Sequence, residues 1–438
     1  MDGDTIVAVA TPPGSGGIGV VRLSGPESAV MARRIAGLDP RPRHAHYVRL
    51  QDPADGALID DGLVLFFPGP RSYTGEDVVE FQGHGSPVLL ERLVAACVAL
   101  GARRARPGEY TERAFLNGRM DLAQAEAVAD LIHAQTERAA RRARSSLDGA
   151  LAAELQPVSR RIRDLRVHME AELDFGETDL ESDVAGTLVP AAAELAAQIR
   201  ALIERLRPGR YLDRGLRLAL LGPPNAGKSS LMNRLAEDEV AIVTDRPGTT
   251  RDVLRAPVAI HGIPVEVVDT AGLHGSEDPV EQIGMERARE AGRTADLVLE
   301  LRDLTDPDAG IPQDLPADLP RLVVWNKTDL AADREGCVPA DALAISARTG
   351  EGLDALRDAI AARLGLAPET DGGFSVRARH LDGLAAAAGA LERIDPALPG
   401  DLAAEELRSA EQALDALLGR QDHEALLGEI FAGFCIGK

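Results

Sequence analysis

The sequence predicts a multidomain chain with an N-terminal α+β domain, a helical domain in two parts and an α/β domain inserted between those parts. Three observations predict this fold class. Short apolar runs bounded by Gly and Pro fill the first part of the chain, Ala and Leu recur at helical spacing from about Asp121, and strand-like and helix-like runs alternate from Leu216 to about Leu366. Helical segments return after Pro368, so we expect them to pack on the earlier helices.

The domain boundaries follow these changes of pattern. We expect an N-terminal domain at 1–118, the first part of the helical domain at 119–212, the inserted domain at 213–368 and the second helical part at 369–438. In the N-terminal domain, TIVAVAT, GIGVVRLSG and GLVLFF are typical of strands. PVLLERLVAACVALG is typical of an amphipathic helix that ends at Gly101.

The helical domain is predicted from long segments with few breaks. The stretch from Asp121 to Leu147 contains neither Pro nor Gly, and the helical pattern continues beyond it with a break or kink at Pro157. Further helical segments are expected at about Val189–Leu206, Val376–Ile394, Asp401–Leu418 and His423–Phe434.

Composition excludes several classes of protein. The net charge of −22 argues against non-specific nucleic-acid binding by the whole surface, so an RNA contact requires a local basic patch or a partner. Three widely spaced cysteines indicate neither a disulfide framework nor a zinc site. No apolar run approaches the ~20 residues of a membrane span, and the N-terminus lacks the apolar region of a signal peptide. We therefore expect a soluble cytoplasmic protein.

The rarest basic residue points to the chemistry of the inserted domain. Only three of the 48 basic residues are lysine: Lys228 in GPPNAGKS, Lys327 in NKTD, and Lys438 at the C-terminus. Chance retention is one explanation. The alternative is that the first two positions need a compact ammonium, which fits among phosphate oxygens where a wide guanidinium does not.

The inserted domain carries motifs of a phosphate-binding site, each beside a predicted strand. GPPNAGKS matches the P-loop pattern, whose backbone N–H groups hold phosphates at a helix N-terminus. Lys228 is expected to bridge β- and γ-phosphate oxygens, and Ser229 to coordinate Mg²⁺. GTTRD supplies Thr250 as a second Mg²⁺ ligand, and DTAG supplies Asp269 near the ion and the Gly272 N–H near the γ-phosphate.

NKTD and ISAR predict that the base is guanine. Asp329 can accept hydrogen bonds from guanine N1–H and the 2-amino group, whereas adenine places an acceptor opposite this carboxylate. Asn326 and Lys327 are expected to brace the loop, and ISAR to back the base. The GTP-binding residues predicted are Asn225, Ala226, Gly227, Lys228, Ser229, Ser230, Thr244, Asp245, Arg246, Pro247, Gly248, Thr249, Thr250, Asp269, Thr270, Ala271, Gly272, Asn326, Lys327, Asp329, Ser346, Ala347 and Arg348.

Two features bear on hydrolysis. Leu273 follows DTAG where many GTPases have a water-positioning glutamine, so another group must act on the water. Glu281 is a candidate, although an acidic residue at a helix start is also favoured by the helix dipole alone. Asn225 offers a side-chain oxygen that can hold a monovalent cation near the phosphates. No arginine finger is evident.

Longer motifs extend beyond the nucleotide site. The chain resembles the MnmE (TrmE) family of tRNA-modification GTPases over essentially its full length, through DTIVAVATPPGSGGIGVVRLSG, YTGEDVVEFQGHG, RPGEYTERAFLNGRMDLAQAEAVADLI, GPPNAGKSSLMN, IVTDRPGTTRD, DTAGLH, VEQIGMERA and FCIGK. The resemblance implies an N-terminal folate-binding and dimerising domain, a discontinuous helical domain and an inserted Ras-like P-loop GTPase domain.

The resemblance also implies a reaction, cofactors and partners. A homodimer, with the FAD-dependent partner MnmG, forms the carboxymethylaminomethyl group at C5 of the wobble uridine of certain tRNAs. The family uses Mg²⁺ and a one-carbon folate of the 5-formyl-tetrahydrofolate type, and K⁺ drives G-domain dimerisation that stimulates GTP hydrolysis.

Individual residues match the family's functional positions. Glu281 matches the catalytic glutamate, and Cys435 matches the cysteine near the modification centre. The resemblance assigns K⁺ to Asn225, Thr244, Arg246 and Thr249, Mg²⁺ to Ser229 and Thr250, and the folate to Arg22, Glu80, Arg119 and Lys438. Arg246-Pro247 replaces the usual aliphatic-Ala pair, and a guanidinium there could weaken cation binding. Arg119 and Arg348 stand where the family usually has lysine.

Alternatives remain at each level. The basic run Arg138, Arg141, Arg142 and Arg144 could contact tRNA phosphates or form a solvated helix face with local ion pairs. Cys435 could be a simple free thiol. The chain as a whole could be a GTP-dependent assembly factor, which would need neither the folate motif nor CIGK, or an ATP-using P-loop enzyme, against which Asp329 argues.

Overall fold

The structure is a computed structural model. It describes residues 3–175, 184–209, 215–223, 225–238, 257–269, 295–307, 320–330, 338–339, 342–364, 373–420 and 424–437. The chain forms two compact units, one made of Met1–Ala129 with Asp415–Lys438 and the other of Asp130–Leu414. Among the helices of the described residues, none is long and apolar enough to cross a membrane. The domain boundaries given above stay a prediction.

The first unit is built on a six-stranded sheet, which bears out the α+β prediction. Its strands are β1 Ile6–Val9, β2 Gly16–Ser24, β3 His46–Gln51, β4 Leu58–Phe67, β5 Val78–Gly85 and β6 Arg103–Arg104. They lie in the order β3-β4-β5-β2-β1-β6, antiparallel except for the β1–β6 pair. The register places Arg22 on β2 directly opposite Glu80 on β5.

Helices accompany both units. They are α1 Ser28–Ala36, α2 Pro87–Ala99, α3 Glu109–Leu116, α4 Leu122–His133, α5 Glu137–Leu147, α6 Ala150–Phe175, α7 Val189–Leu206, α8 Lys228–Asp238, α9 Leu353–Arg363, α10 Ala378–Glu392, α11 Gly400–Leu417 and α12 Glu424–Ala432. A π-helical turn, Val184–Leu188, leads into α7. Two of the late helices pack on the early ones as expected: α10 packs on α7, and Glu411 of α11 pairs with Arg163 and Arg166 of α6. The prediction is wrong for α12, which packs on α3 of the first unit, because Phe431 and Phe434 are buried next to Gly108.

A partly buried ion network links α3 to the first sheet. Arg113 donates to Glu109 on the same helix, to Glu76, and to both the backbone and the carboxylate of Asp4 ahead of β1. Arg103 donates to both carboxylate oxygens of Glu109 and to the carboxylate of Asp4. Burial disfavours charge on Glu109, but hydrogen bonds from Arg103 and from the Arg106 N–H outweigh this and lower its pKa.

The second unit contains a six-stranded, mainly parallel sheet. Its strands are β7 Leu216–Leu221, β8 Pro257–Ile260, β9 Ile263–Asp269, β10 Leu297–Asp303, β11 Arg321–Asn326 and β12 Leu343–Ala344. The order is β12-β11-β10-β7-β9-β8, and β8 alone is antiparallel to its neighbour. The carboxyl ends of the parallel strands therefore share one edge, where ligands bind in open α/β sheets.

Two helical predictions need correction. The stretch 121–147 is two helices, α4 and α5, because Thr136 begins α5 as its N-cap and its hydroxyl accepts from the Ala139 N–H at 3.1 Å. Of the break or kink predicted at Pro157, the break is excluded, because α6 runs from Ala150 to Phe175, and the kink stays a prediction. Proline removes one backbone donor, but burial of Leu155 and Ile162 on either side holds the helix together across that position.

Candidate functional site

The P-loop leaves β7 and enters α8, as the sequence predicts. Lys228, the first residue of α8, is buried, and its Nζ donates to the carbonyl oxygens of Gly222 at 2.8 Å and Pro223 at 2.9 Å. The loop thus wraps around the ammonium. Ser229 and Ser230 follow it, exposed at the start of α8, and Asn225 is exposed with a positive φ of 61°.

Asn326 joins the P-loop to the ISAR segment. This side chain, 2% exposed at the end of β11, donates from Nδ2 to the Ala226 carbonyl at 2.8 Å, and its Oδ1 accepts from the Ala347 N–H at 2.9 Å. A Cβ on Gly227 would lie 2.2 Å from this Nδ2, and Gly227 also has a φ of 94°. Three of the predicted motifs therefore meet at one amide, which leaves no room for a side chain at position 227.

The Asp329 carboxylate is held at the same edge. Its Oδ1 accepts from the hydroxyl of buried Ser346 at 2.7 Å, and the Ser346 Oγ accepts in turn from the Thr349 N–H at 3.1 Å. Asp329 itself is exposed. A charged acceptor fixed at its inner oxygen and open at its outer side can receive paired N–H donors from a ligand.

Sequence reasoning missed one residue at this edge. Asp303, at the end of β10, accepts from the Lys327 Nζ at 2.5 Å and from the N–H and hydroxyl of Thr305 at 2.9 and 2.6 Å. Burial disfavours its charge, but the hydrogen bonds from Lys327 and Thr305 outweigh this and lower its pKa. The sequence feature that could have identified Asp303 is an acidic residue at the end of β10, the strand beside β11, which leads into NKTD.

Several predicted site residues have no described environment. Asp269 ends β9 beside β7, opposite Leu220, but its side chain is not among those described. Arg348 is exposed. Outside the described residues lie Glu281, Thr244, Asp245, Arg246, Pro247, Gly248, Thr249, Thr250, Thr270, Ala271, Gly272 and Lys438.

A second cluster forms in the first unit around Arg22. Its guanidinium pairs with Glu80, with Nη2 at 2.8 Å from Oε1, and its Nη1 donates to the Gly437 carbonyl at 3.2 Å. The guanidinium carbon lies 5.6 Å from the ring centre of Tyr73 and 5.7 Å from that of Tyr110, within the range of cation–π attraction. Burial raises the pKa of both tyrosines, so both stay protonated near neutrality.

The C-terminal segment lies against this cluster. Gly108 packs under Phe431 and Phe434, and its N–H points to the Cys435 carbonyl at 3.4 Å. Gly437 has a φ of 94°, and a Cβ there would come 2.3 Å from the Val9 carbonyl. Cys435 is exposed. The structure thus brings Arg22, Glu80 and Gly437 together.

Arg119 was also predicted to bind the folate. It is exposed, and its stem is next to Gly75, where an added Cβ would lie 3.3 Å from the Arg119 Cγ. No described contact joins it to Arg22 or Glu80.

The basic run of α5 is paired within the chain. Arg141 pairs with Glu137 and Arg144 with Asp148, both one helical turn away. The other two members of the run donate to backbone carbonyls: Arg138 to His261 and Arg142 to Phe374. These partners favour the helix-face interpretation over contact with tRNA phosphates.

Comparison with known proteins decides the family. A family model described as the MnmE helical domain matches residues 122–435, and one described as the GTP-binding protein TrmE N-terminus matches residues 5–119. A Yersinia pseudotuberculosis serotype O:1b protein named tRNA modification GTPase MnmE is 46% identical over 451 residues, 99% of each chain. The chain belongs to the MnmE family. A Yersinia pestis bv. Antiqua (strain Angola) member with the same name is similar to the same extent.

Membership in the MnmE family confirms the fold class predicted from the sequence, with an N-terminal TrmE domain, a helical domain and a P-loop domain. Among solved structures, the chain is similar to the G domain of the T. maritima FeoB iron transporter, with 24% identity over 34% of this chain and 98% of that one. The TM-score of 0.26 is too low for this similarity to add to the assignment.

Proposed function

We propose that this protein is a GTP hydrolase that acts in tRNA modification. The observation that carries the proposal is the junction at Asn326, which ties the P-loop to the loop that holds Asp329. Phosphate binding and base selection thereby belong to one rigid edge of the sheet. Near-full-length relatives that are 46% identical are named tRNA modification GTPases.

The described residues suit the roles proposed for them. Lys228 would turn from its loop carbonyls to the β- and γ-phosphate oxygens, and Asp329 would accept from guanine N1–H and the 2-amino group. Ser229 presents a hard oxygen at the helix start, which fits Mg²⁺, and this ion would neutralise phosphate charge. Asn225 presents an exposed amide within the P-loop, which fits a K⁺ ligand.

The remaining nucleotide-site assignments rest on sequence alone. We propose Glu281 as the residue that acts on the water, Thr250 as the second Mg²⁺ ligand and Thr244, Arg246 and Thr249 as the rest of the K⁺ site. Potassium would then stimulate hydrolysis by pairing two G domains. Hydrolysis measured in matched KCl and NaCl buffers tests the K⁺ assignment, because equal rates would contradict it.

The cluster at Arg22 suits a folate. A pterin ring presents a ring N–H and a 2-amino group side by side, the donor pair that a carboxylate such as Glu80 accepts. The partly exposed Tyr73 ring adds flat apolar surface beside it. We propose that a 5-formyl-tetrahydrofolate-type ligand binds here, with Lys438 and Arg119 contributing charge and Cys435 near the modified group.

We further propose the partners that the family resemblance implies: a second copy through the N-terminal domain, the FAD protein MnmG, and tRNA, in the cytoplasm. The complex would form the carboxymethylaminomethyl group on the wobble uridine. Light scattering of the purified chain tests the dimer, and co-purification with MnmG tests the partner.

The deciding experiment measures the product. Bulk tRNA from cells lacking this protein is digested, and the wobble-uridine nucleosides are quantified by mass spectrometry, with complementation by wild type or Asp329→Asn. We expect loss of the 5-carboxymethylaminomethyl nucleosides, restored by wild type and not by the variant. Unchanged nucleosides would reject the tRNA role and favour a GTP-dependent assembly factor. Deletion of the last four residues tests the folate and CIGK assignments in the same cells.

A further inference from the structure

The base-binding loop begins with a residue in an unusual backbone conformation. Lys327 has a φ of 72°, in the left-handed region that residues other than Gly seldom occupy. Such a conformation persists where surrounding contacts impose it. The next turn depends on it, because the Leu330 N–H donates to the Lys327 carbonyl at 3.0 Å and Asp329 lies within that turn.

The contact that holds the Lys327 side chain comes from the neighbouring strand. Its Nζ lies 2.5 Å from Oδ2 of Asp303, which is only 8% exposed. Asp303 and Asn326 are paired residues of β10 and β11, so the carboxylate reaches the first residue of the loop from a fixed strand end. The Leu304 N–H donates to the Asn326 carbonyl at 3.0 Å and closes the same junction.

Asp303 is itself oriented. Its second oxygen, Oδ1, accepts from the Thr305 N–H and from the Thr305 hydroxyl. Both carboxylate oxygens therefore accept hydrogen bonds: Oδ1 from Thr305 and Oδ2 from Lys327. Charge-assisted bonds of this kind are stronger and more directional than neutral ones.

The loop is thus fixed at both ends. Asp303 holds Lys327 at its start, and Ser346 holds the inner oxygen of Asp329 two residues later. A carboxylate that must meet two N–H donors of a base depends on its angle as well as its position. Loss of the contact between Asp303 and Lys327 would change the angle of the Asp329 carboxylate and so weaken one of its two hydrogen bonds to the base.

We propose that Asp303 is a positioning residue that sets the selectivity of this site for guanine over hypoxanthine, acting through Lys327. Hypoxanthine has the N1–H of guanine and lacks the 2-amino group, so it forms one of the two bonds to Asp329. The inference rests on the proposed function, in which Asp329 recognises the base.

The test is calorimetric titration of the full-length protein with GDP and with IDP. For Asp303→Asn we expect GDP affinity to fall about 10-fold, the effect of losing a charged hydrogen-bond partner. IDP affinity should fall less, so that the GDP/IDP affinity ratio drops about 3-fold or more. Glu300→Gln is the matched control, since Glu300 lies on β10 and pairs with Arg302 instead. It should leave both affinities unchanged.

A second variant covers the case in which Asp303→Asn folds poorly. Thr305→Val keeps the charge of Asp303 and the backbone donor but removes the hydroxyl that aligns the carboxylate. It should lower the GDP/IDP ratio in the same direction by a smaller factor. In a Lys327→Gln background, Asp303→Asn should cause no further loss, because its effect passes through that lysine.

Three outcomes would overturn the proposal. The first is a folded Asp303→Asn protein with the wild-type GDP/IDP ratio. The second is an equal loss in Glu300→Gln, and the third is a full additional loss in the Lys327→Gln background. Failure of the proposed function is distinguishable, since the wild-type protein would then show no preference for GDP over ADP or IDP.

Discussion

Removal of the Asn326 side chain is the sharpest test of the nucleotide edge. In Asn326→Ala, the Ala226 carbonyl and the Ala347 N–H both lose their partner, in a place where the Asn326 side chain is 2% exposed. Each lost bond and each buried group left unpaired costs about 1–2 kcal/mol, so we expect the second unit to lose about 2–4 kcal/mol of stability. Nucleotide affinity should fall by at least about 10-fold, because two motifs separate.

The isosteric variant separates hydrogen bonding from volume. In Asn326→Asp, the oxygen that replaces Nδ2 faces the Ala226 carbonyl, so a donor becomes a repelling acceptor. This variant should be at least as damaging as Asn326→Ala although no cavity forms. Gln198→Ala is the control, because Gln198 is an exposed amide of the same unit whose described bond is to the Glu194 carboxylate, with an expected cost of at most about 1 kcal/mol.

Trp325 supplies the assay. It is the chain's one tryptophan, it is 6% exposed, and it precedes Asn326 on β11, so its fluorescence during urea unfolding reports on this sheet. Calorimetric titration with GDP measures affinity in parallel. If Asn326→Ala shifts the free energy of unfolding by less than about 0.5 kcal/mol and binds GDP as wild type does, the junction has no role in joining the motifs.

Three further predictions concern the rest of the chain. Gly437→Ala places a Cβ 2.3 Å from the Val9 carbonyl at a φ of 94°, so we expect the C-terminal segment to detach. The rate at which Cys435 is alkylated, measured on the peptide that contains it, should then change several-fold. Gly428→Ala is the control and should leave this rate unchanged, because a Cβ at Gly428 meets open space. The pKa of Glu109 is lower in the folded protein than its ordinary value of 4.5, so its ionisation stabilises the fold above that pH. This stability is lost as the pH falls through the folded-state pKa. In Glu109→Gln, the melting temperature should therefore fall less steeply below about pH 5. Pro157→Ala restores a backbone donor at an exposed position within α6 and should stabilise the second unit by about 1–3 kcal/mol in thermal melts; no gain would mean that the helix has already relaxed around the proline.

The sequence predicted elements that depend on local pattern. The run Leu216–Leu221, apolar except for the exposed Arg217, lies within the sheet, and the helix predicted at Val189–Leu206 has those bounds. The strand β3 at His46–Gln51 was missed, because its alternate residues are exposed and only Val48 and Leu50 are buried. A strand with one solvent-exposed face has fewer apolar residues than a fully buried strand and is therefore harder to predict from its sequence.

Long-range contacts explain the other differences. Thr136 was not recognised as a helix start. Besides capping α5, its hydroxyl donates to the Gly262 carbonyl, which is 126 residues away in the sequence. Asp303 was passed over for a related reason: an acidic residue at a strand end becomes informative only when β10 is known to lie beside β11. The motif residues were found because their spacing encodes their geometry, whereas the residues that support them are placed by the sheet order.

The two internal lysines now have a physical explanation in their surroundings. Lys228 Nζ donates to two carbonyl oxygens within its own loop, and Lys327 Nζ meets a single carboxylate oxygen of Asp303 at 2.5 Å. Both sites accept a small ammonium whose donors can be redirected by rotation about one bond. A planar guanidinium would need about twice as many acceptors in one plane, and the Asp303 oxygen that could complete such a pair is already used by Thr305. A chain that has arginine in place of lysine almost everywhere therefore has lysine where the described acceptors converge on a point.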